Sequence, residues 1–136
     1  MTASSLCFRL AVLFVIAGMA MGIGMAASQD HSIMPAHAHL NLLGFVSLFL
    51  FGMYYERRRA LDMSRMAFVQ VILWSVGTVI LTVAVAAIHL GYTAADPVAG
   101  IASLLVLAAT LMFAYFVFRP ARDIAPAPTA HLTPAE

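Results

Sequence analysis

Residues 66–90 read MAFVQVILWSVGTVILTVAVAAIHL and contain no charged side chain. A helix rises ~1.5 Å per residue, so a run of this length is long enough to cross a hydrocarbon core about 30 Å thick. Backbone N–H and C=O groups in lipid must find partners within the segment, and a helix provides them. The stretch therefore predicts a transmembrane α-helix.

Three further apolar stretches pass the same test, so the sequence predicts an all-α protein, a four-helix transmembrane bundle. The predicted spans are residues 6–27, 36–55, 66–90 and 98–118, and residues 1–118 form one domain embedded in a lipid bilayer. Apolar residues make up 63% of the chain and charged residues 10%, which excludes an ordinary soluble domain. No basic helix interleaved with aromatic residues appears, so we expect no nucleic-acid partner. Residues 119–136 are rich in Pro and Ala and are predicted to be a disordered cytoplasmic tail.

The positions of the arginines predict the orientation of the spans. Every cationic side chain is an arginine near the start of the first span, between the second and third spans, or after the fourth: Arg9, Arg57, Arg58, Arg59, Arg65, Arg119 and Arg122. The other two loops carry Asp30 and Asp96 but no arginine. Because positive residues are retained in the cytoplasm, we expect both termini inside (N-in, C-in) in a multi-pass protein of a bacterial inner membrane.

The first span also has some features of a cleavable signal peptide. Arg9, an apolar run and small residues around positions 25–28 fit such a signal. The apolar run is long for a signal, so we expect the first span to be retained.

Three of the five histidines are predicted to lie near one membrane level. His37 and His39 fall in the first turn of the second span, and His89 falls in the last turn of the third. Because the two spans run antiparallel, all three imidazoles are expected near the outer boundary of the hydrocarbon, where ionisable groups usually face a bundle interior or a ligand. His31 and His131 are expected to be solvated. The alternative is that the three histidines only line the interface with water and head groups.

Helical periodicity places these histidines on polar stripes. On the second span, one stripe carries His37, Asn41, Gly44, Gly52 and Tyr55, and its two glycines leave room for a bulky group. On the third span, another stripe carries Ser75, Thr78, Thr82 and His89. His39 lies about 200° around the helix from His37, so the two imidazoles should have separate roles.

Two kinds of ligand suit this pattern. A heme needs an apolar slot between helices, one or two imidazole ligands and small residues where the macrocycle meets backbone. His37 with His89 or His39 would supply the ligands, and Gly44 and Gly52 the slot. The alternative is a copper or zinc site that uses His37, His39 and His89, and a third alternative is a structural subunit without a cofactor.

The run AHAHLNLLGF at residues 36–45 resembles the second transmembrane helix of subunit I in the heme–copper oxidase superfamily, which includes the nitric oxide reductases. In some members a similar His-x-x-Leu-Asn run enters from the outside, and its histidine is an axial ligand of the low-spin heme. The matching residues here are His37 and Asn41. The resemblance implies a heme b near the outer face, used for electron transfer or for heme or gas binding, with a redox partner at that face.

The departures from the superfamily limit what is implied. Subunit I has twelve helices, the histidines of its copper site have no counterpart here, and its proton channels are not recognisable. Reduction of oxygen by this chain alone is therefore not expected. Because the twelve helices form three similar arcs of four, the resemblance also implies a homo-oligomer, a trimer with hemes between subunits.

Overall fold

The computed structural model describes residues 1–119. Except for Arg119, the predicted disordered tail of residues 119–136 lies outside the described residues.

Four long helices account for most of the described chain. They are α1 (Ala3–Ser28), α2 (Met34–Glu56), α3 (Arg65–His89) and α4 (Asp96–Phe118). Each is long and apolar enough to cross a membrane. The predicted all-α class and the four spans are thus confirmed. The helix ends lie within three residues of the ends of the predicted spans.

Side-chain caps define where two of the helices begin. The Thr2 hydroxyl accepts a hydrogen bond from the Ser5 N–H at 3.3 Å, and the Ser64 hydroxyl accepts one from the Ala67 N–H at 3.1 Å. These caps satisfy N–H groups that have no partner within the first turn. Beyond the end of α3, Gly91 adopts a φ of 95°, a left-handed conformation that glycine tolerates and that ends the helix.

The start of α4 differs from the sequence-based expectation. The pair Asp96-Pro97 is typical of a helix that begins with an aspartate N-cap followed by proline in the first turn. Instead, a short 3₁₀ helix, Thr93–Ala95, leads into α4. Asp96 is the first residue of α4 and not its cap. Pro97 still lies in the first turn, where its missing N–H costs nothing.

The start of α1 and the end of α4 lie at the same end of the bundle, because both contact the loop between α2 and α3. The Asp62 carboxylate accepts hydrogen bonds from the Ser4 N–H at 2.6 Å and the Ser4 hydroxyl at 3.0 Å, which joins the α2–α3 loop to the first turn of α1. Arg58 Nη1 lies 3.5 Å from the Phe116 carbonyl oxygen, which joins the same loop to the end of α4. We term this the arginine end, and the opposite end, with His37, His39 and His89, the histidine end.

A polar network and an aromatic cluster hold α2, α3 and α4 together toward the arginine end. The Tyr55 hydroxyl donates to Gln70 Oε1 at 2.8 Å, and Gln70 Nε2 donates to the Ala109 carbonyl oxygen at 3.3 Å. Both side chains are fully buried. Phe51 packs against Trp74 and Phe113, with ring centroids 4.8 and 4.2 Å away. These contacts pack α2, α3 and α4 closely against one another in the interior of the arginine half.

Candidate functional site at the histidine end

His37 is held between α1 and its own helix. Asn41 Nδ2 donates to the His37 carbonyl oxygen at 2.9 Å and lies 3.2 and 3.3 Å from the two ring nitrogens. A Cβ atom built on Gly22 of α1 would stand 3.2 Å from His37 Cε1. The imidazole therefore packs against α1, and the Asn41 amide lies over the face of its ring.

The two glycines of the α2 stripe are also covered by α1. A Cβ on Gly44 would lie 2.8 Å from Phe14 Cβ and Cγ, and a Cβ on Gly52 would lie 2.8 Å from Phe8 Cε1. The two glycines leave space beside α2, and the Phe14 and Phe8 side chains of α1 fill it. A porphyrin would fit this face only if Phe8 and Phe14 moved.

His39 faces the other side of α2, as the 200° separation predicted. Its Nδ1 lies 2.7 Å from the Pro35 carbonyl oxygen. A carbonyl oxygen only accepts, so Nδ1 donates the proton of this hydrogen bond, and in the neutral ring Nε2 has the lone pair. Metal-binding histidines commonly have this arrangement, in which one ring N–H donates to a backbone carbonyl while the other nitrogen faces the ligand.

A cavity of about 370 Å³ lies beside His39. Ligand pockets typically measure ~300–1,000 Å³. The cavity lies over α3, between α2 and α4, and opens at the protein surface because Leu42 and Ser103 are exposed. Its walls comprise His39, Leu42 and Leu43 from α2, Leu81 from α3, and Ser103 and Val106 from α4. The cavity therefore combines one histidine with mainly aliphatic walls.

A π-helical segment, Leu40–Ser47, separates His39 from the remainder of α2. Two side-chain donors bond to carbonyl groups within it: Ser47 Oγ donates to the Leu42 oxygen at 2.9 Å, and Trp74 Nε1 donates to the Leu43 oxygen at 2.9 Å. π-helical segments occur frequently at functional sites. Here the segment contributes Leu42 and Leu43 to the cavity wall, directly after His39.

His89 does not reach this cavity. It follows Leu81 by eight residues on the same helix, which is about 12 Å along the axis. Its side chain is exposed, and its Nδ1 lies 2.8 Å from the Val85 carbonyl oxygen. His31 is likewise exposed in the α1–α2 loop. The structure therefore brings His39 and Leu81 to one level but places His89 beyond them.

The polar stripe of α3 is buried except for its histidine. Ser75, Thr78 and Thr82 are buried, and Ser75 Oγ donates to the Val71 carbonyl oxygen at 2.7 Å. Thr78 and Thr82 leave their hydroxyl oxygens without a hydrogen-bond partner among the described residues. Unpaired buried hydroxyls are costly, so these two positions are suited to an ordered water molecule.

Sequence reasoning missed most of the cavity wall. Leu42, Leu43, Leu81, Ser103 and Val106 are ordinary span residues, and nothing in their spacing distinguishes them. Within residues 1–119, no three His, Cys, Asp or Glu side chains cluster closely enough to hold a metal ion by themselves. The copper or zinc alternative therefore gains no support from the described part of the chain.

No known protein family, curated protein or solved structure matches this chain. The resemblance to heme–copper oxidase subunit I therefore depends on the sequence run at residues 36–45 alone.

Proposed function

We propose that this protein is an integral membrane protein that binds heme b in the cavity beside His39, with His39 Nε2 as an axial ligand. The observation that supports the proposal is the hydrogen bonding and position of this imidazole. Its Nδ1–H is donated to the Pro35 carbonyl, which leaves Nε2 outside this hydrogen bond, and His39 lines a mainly aliphatic cavity. The resemblance at residues 36–45 supports heme as the ligand.

The residues around the cavity fit the requirements of a heme site. Leu42, Leu43, Leu81 and Val106 would cover the porphyrin faces and exclude water. The Pro35 carbonyl fixes the orientation of the His39 ring. A bound heme would supply one-electron transfer or gas binding.

The assignment to His39 departs from the resemblance, which implies His37. His37 is partly buried and packs against Gly22 and Asn41, and the adjoining glycines are covered by Phe14 and Phe8. In this proposal His37 and Asn41 instead stabilise the α1–α2 contact. The alternative, with His37 as the ligand, is tested below against His39.

One chain supplies one axial imidazole in this proposal, because His89 lies about two turns beyond the cavity. The cavity opens at the surface of a single chain, so a second copy could cover it and contribute a further ligand. The proposed homo-oligomer, a trimer, is supported only by the resemblance. A native mass of one chain in mild detergent would contradict it.

The proposed orientation places the arginine end in the cytoplasm and the site at the outer face of a bacterial inner membrane, within reach of a redox partner. The contacts Ser4–Asp62 and Arg58–Phe116 support the grouping of both chain-terminal ends on one side. Reporter fusions after Glu56 and after His89 test the orientation. The fusion after Glu56 should be active only with a reporter that works in the cytoplasm. The fusion after His89 should be active only with a reporter that works after export.

Heme retention by three histidine variants tests the ligand assignment. The proteins are expressed with ample heme supply, purified in mild detergent and assayed by pyridine hemochrome. We expect His39→Gly to lose most of its heme and to recover it with added imidazole, which replaces the missing ring without restoring any packing. His31→Gly is the matched control and should retain heme, because His31 is exposed in a loop.

The same assay identifies the outcome that overturns this assignment. If His37→Gly loses heme and regains it with imidazole while His39→Gly retains it, His37 is the ligand. A wild-type protein that takes up no heme overturns the proposed function itself.

A further inference from the structure

A second cavity, about 380 Å³ in volume, lies at the arginine end beside the start of α3. Its lining includes Met1, Ser64, Arg65, Phe68 and Val69. It lies at the opposite end of α3 from the His39 cavity and shares no lining residue with it.

Two guanidinium groups give this cavity a cationic margin. Arg65 lines it and is exposed. Arg9 is also exposed, and its Nη1 lies 3.9 Å from the sulfur of Met1, another lining residue.

Asp62 also borders the cavity, but both of its carboxylate oxygens are engaged. They accept the Ser4 N–H at 2.6 Å and the Ser4 hydroxyl at 3.0 Å. Its negative charge therefore lies against the first turn of α1, where a helix N-terminus stabilises an anion. Asp62 therefore does not pair with Arg65, and Arg65 lines the cavity without a carboxylate partner among the described residues.

The remaining wall is apolar and continues onto the membrane-facing surface of α3. Phe68 is 36% exposed and Val69 is 53% exposed, although each lies within the first turns of a helix apolar enough to span a membrane. A soluble anion would find no partner along these side chains. A molecule that joins an anionic head group to a hydrocarbon chain would contact both parts of the wall.

We infer that this cavity is a binding site for an anionic phospholipid, whose phosphate pairs with Arg65 and Arg9 and whose acyl chain lies against Phe68 and Val69. Planar guanidinium groups bind phosphate with two parallel hydrogen bonds, which favours arginine at such a site. The site is independent of the proposed heme function, because its residues lie at the other end of the bundle.

Lipid retention measured by native mass spectrometry tests the inference. The purified protein is titrated with phosphatidylglycerol or phosphatidylcholine in mild detergent, and lipid adducts are counted. We expect selective retention of phosphatidylglycerol, reduced roughly fivefold by Arg65→Gln, since a basic residue near an anionic lipid surface contributes ~1 kcal/mol. Arg57→Gln removes the same charge from an exposed residue outside the cavity and should change retention less than twofold.

Two further variants separate binding from folding. Arg65→Lys keeps the charge and should retain most of the phosphatidylglycerol. Val69→Glu places a carboxylate on the acyl wall and should reduce retention although both arginines remain. Helix content measured by circular dichroism establishes that each variant is folded.

Three results would overturn the inference. If Arg65→Gln and Arg57→Gln lost phosphatidylglycerol to the same extent, the arginines would act only as a diffuse positive surface. Equal retention of the two lipids by the wild-type protein would remove the role of the head-group charge. Displacement of the lipid by an equal concentration of glycerol 3-phosphate would identify a site for a soluble anion.

Discussion

Gly18 of α1 and Asn41 of α2 approach so closely that a Cβ atom built on Gly18 would collide with the Asn41 side-chain amide. The same amide lies against the ring of His37. The contact therefore connects the small-residue face of α1 to the polar stripe of α2. Small residues at such positions allow helices in membranes to pack closely.

Gly18→Ala should destabilise the bundle, because the new methyl group must displace Asn41. Overpacking of this kind typically costs ~1–3 kcal/mol. The free energy of unfolding in an SDS titration measures the loss. Gly24→Ala is the matched control, since a Cβ there meets nothing within 4 Å. Equal stability of the two variants would contradict the close α1–α2 contact.

Tyr55→Phe should weaken the packing of α2 on α3 and α4. The substitution removes the hydroxyl that donates to Gln70 Oε1, and the buried Gln70 side chain then lacks a donor on that oxygen. We expect a loss of about 1 kcal/mol, between the average of ~0.6 kcal/mol and the maximum of ~1.7 kcal/mol for side-chain hydrogen bonds in a membrane protein. The unfolding midpoint in SDS measures it. Tyr92→Phe, at a side chain that is 68% exposed, should leave the midpoint unchanged, and a similar shift in both variants would refute the role of the network.

The α1–α2 loop should respond to pH through Asp30. The Ser32 hydroxyl and Ser32 N–H both donate to Asp30 Oδ1, and these two bonds lower the pKa of the Asp30 carboxyl below its usual value. Because the ionised carboxylate accepts both bonds, their stabilising effect is fully present above the ordinary carboxyl pKa. It is lost only as the pH falls through the lowered pKa and the carboxylate becomes protonated.

Ser32→Ala should raise the pKa of Asp30 toward the ordinary value, because it removes the larger of these two influences. Carboxyl carbon shifts followed by NMR in micelles measure the titration. Ser28→Ala is the control, since the Ser28 hydroxyl accepts from the Asp30 backbone N–H and does not contact its carboxylate. An unchanged pKa in Ser32→Ala would show that the turn does not form in solution.

Ser103→Trp should block the His39 cavity. Ser103 lines the cavity but is itself exposed, so a large ring can cover the space without disturbing buried neighbours. We expect at least a tenfold loss of bound heme with little change in stability. Leu104→Trp introduces the same ring at the adjacent exposed position outside the cavity and should retain heme. Full occupancy in Ser103→Trp would place the heme elsewhere.

Hydropathy predicted the four spans to within two or three residues at each end, with residues 36–55 expected and Met34–Glu56 observed for the second. Apolar length determines whether a segment can cross a membrane, so this part of the fold is readable from the sequence alone. The added terminal residues reflect caps such as Ser64, whose hydroxyl begins α3 outside the apolar run.

Periodicity identified faces of helices but not their neighbours. It grouped His37, Asn41, Gly44 and Gly52 correctly, yet it could not reveal that Phe14 and Phe8 of α1 cover the two glycines. It also gave no sign of the π-helical segment Leu40–Ser47, because such hydrogen bonding follows from contacts such as that of Trp74 with the Leu43 carbonyl. The His39 cavity depends on three helices at once, which no single repeat encodes.

An absorption spectrum of the purified wild-type protein shows whether it binds heme b. The protein is expressed with ample heme supply, and spectra are recorded in the oxidised and the dithionite-reduced states with a pyridine hemochrome assay. We expect a sharp reduced α-band and close to one heme b per chain. A folded, helical protein that contains no heme, and that acquires none when hemin is added, would contradict this expectation.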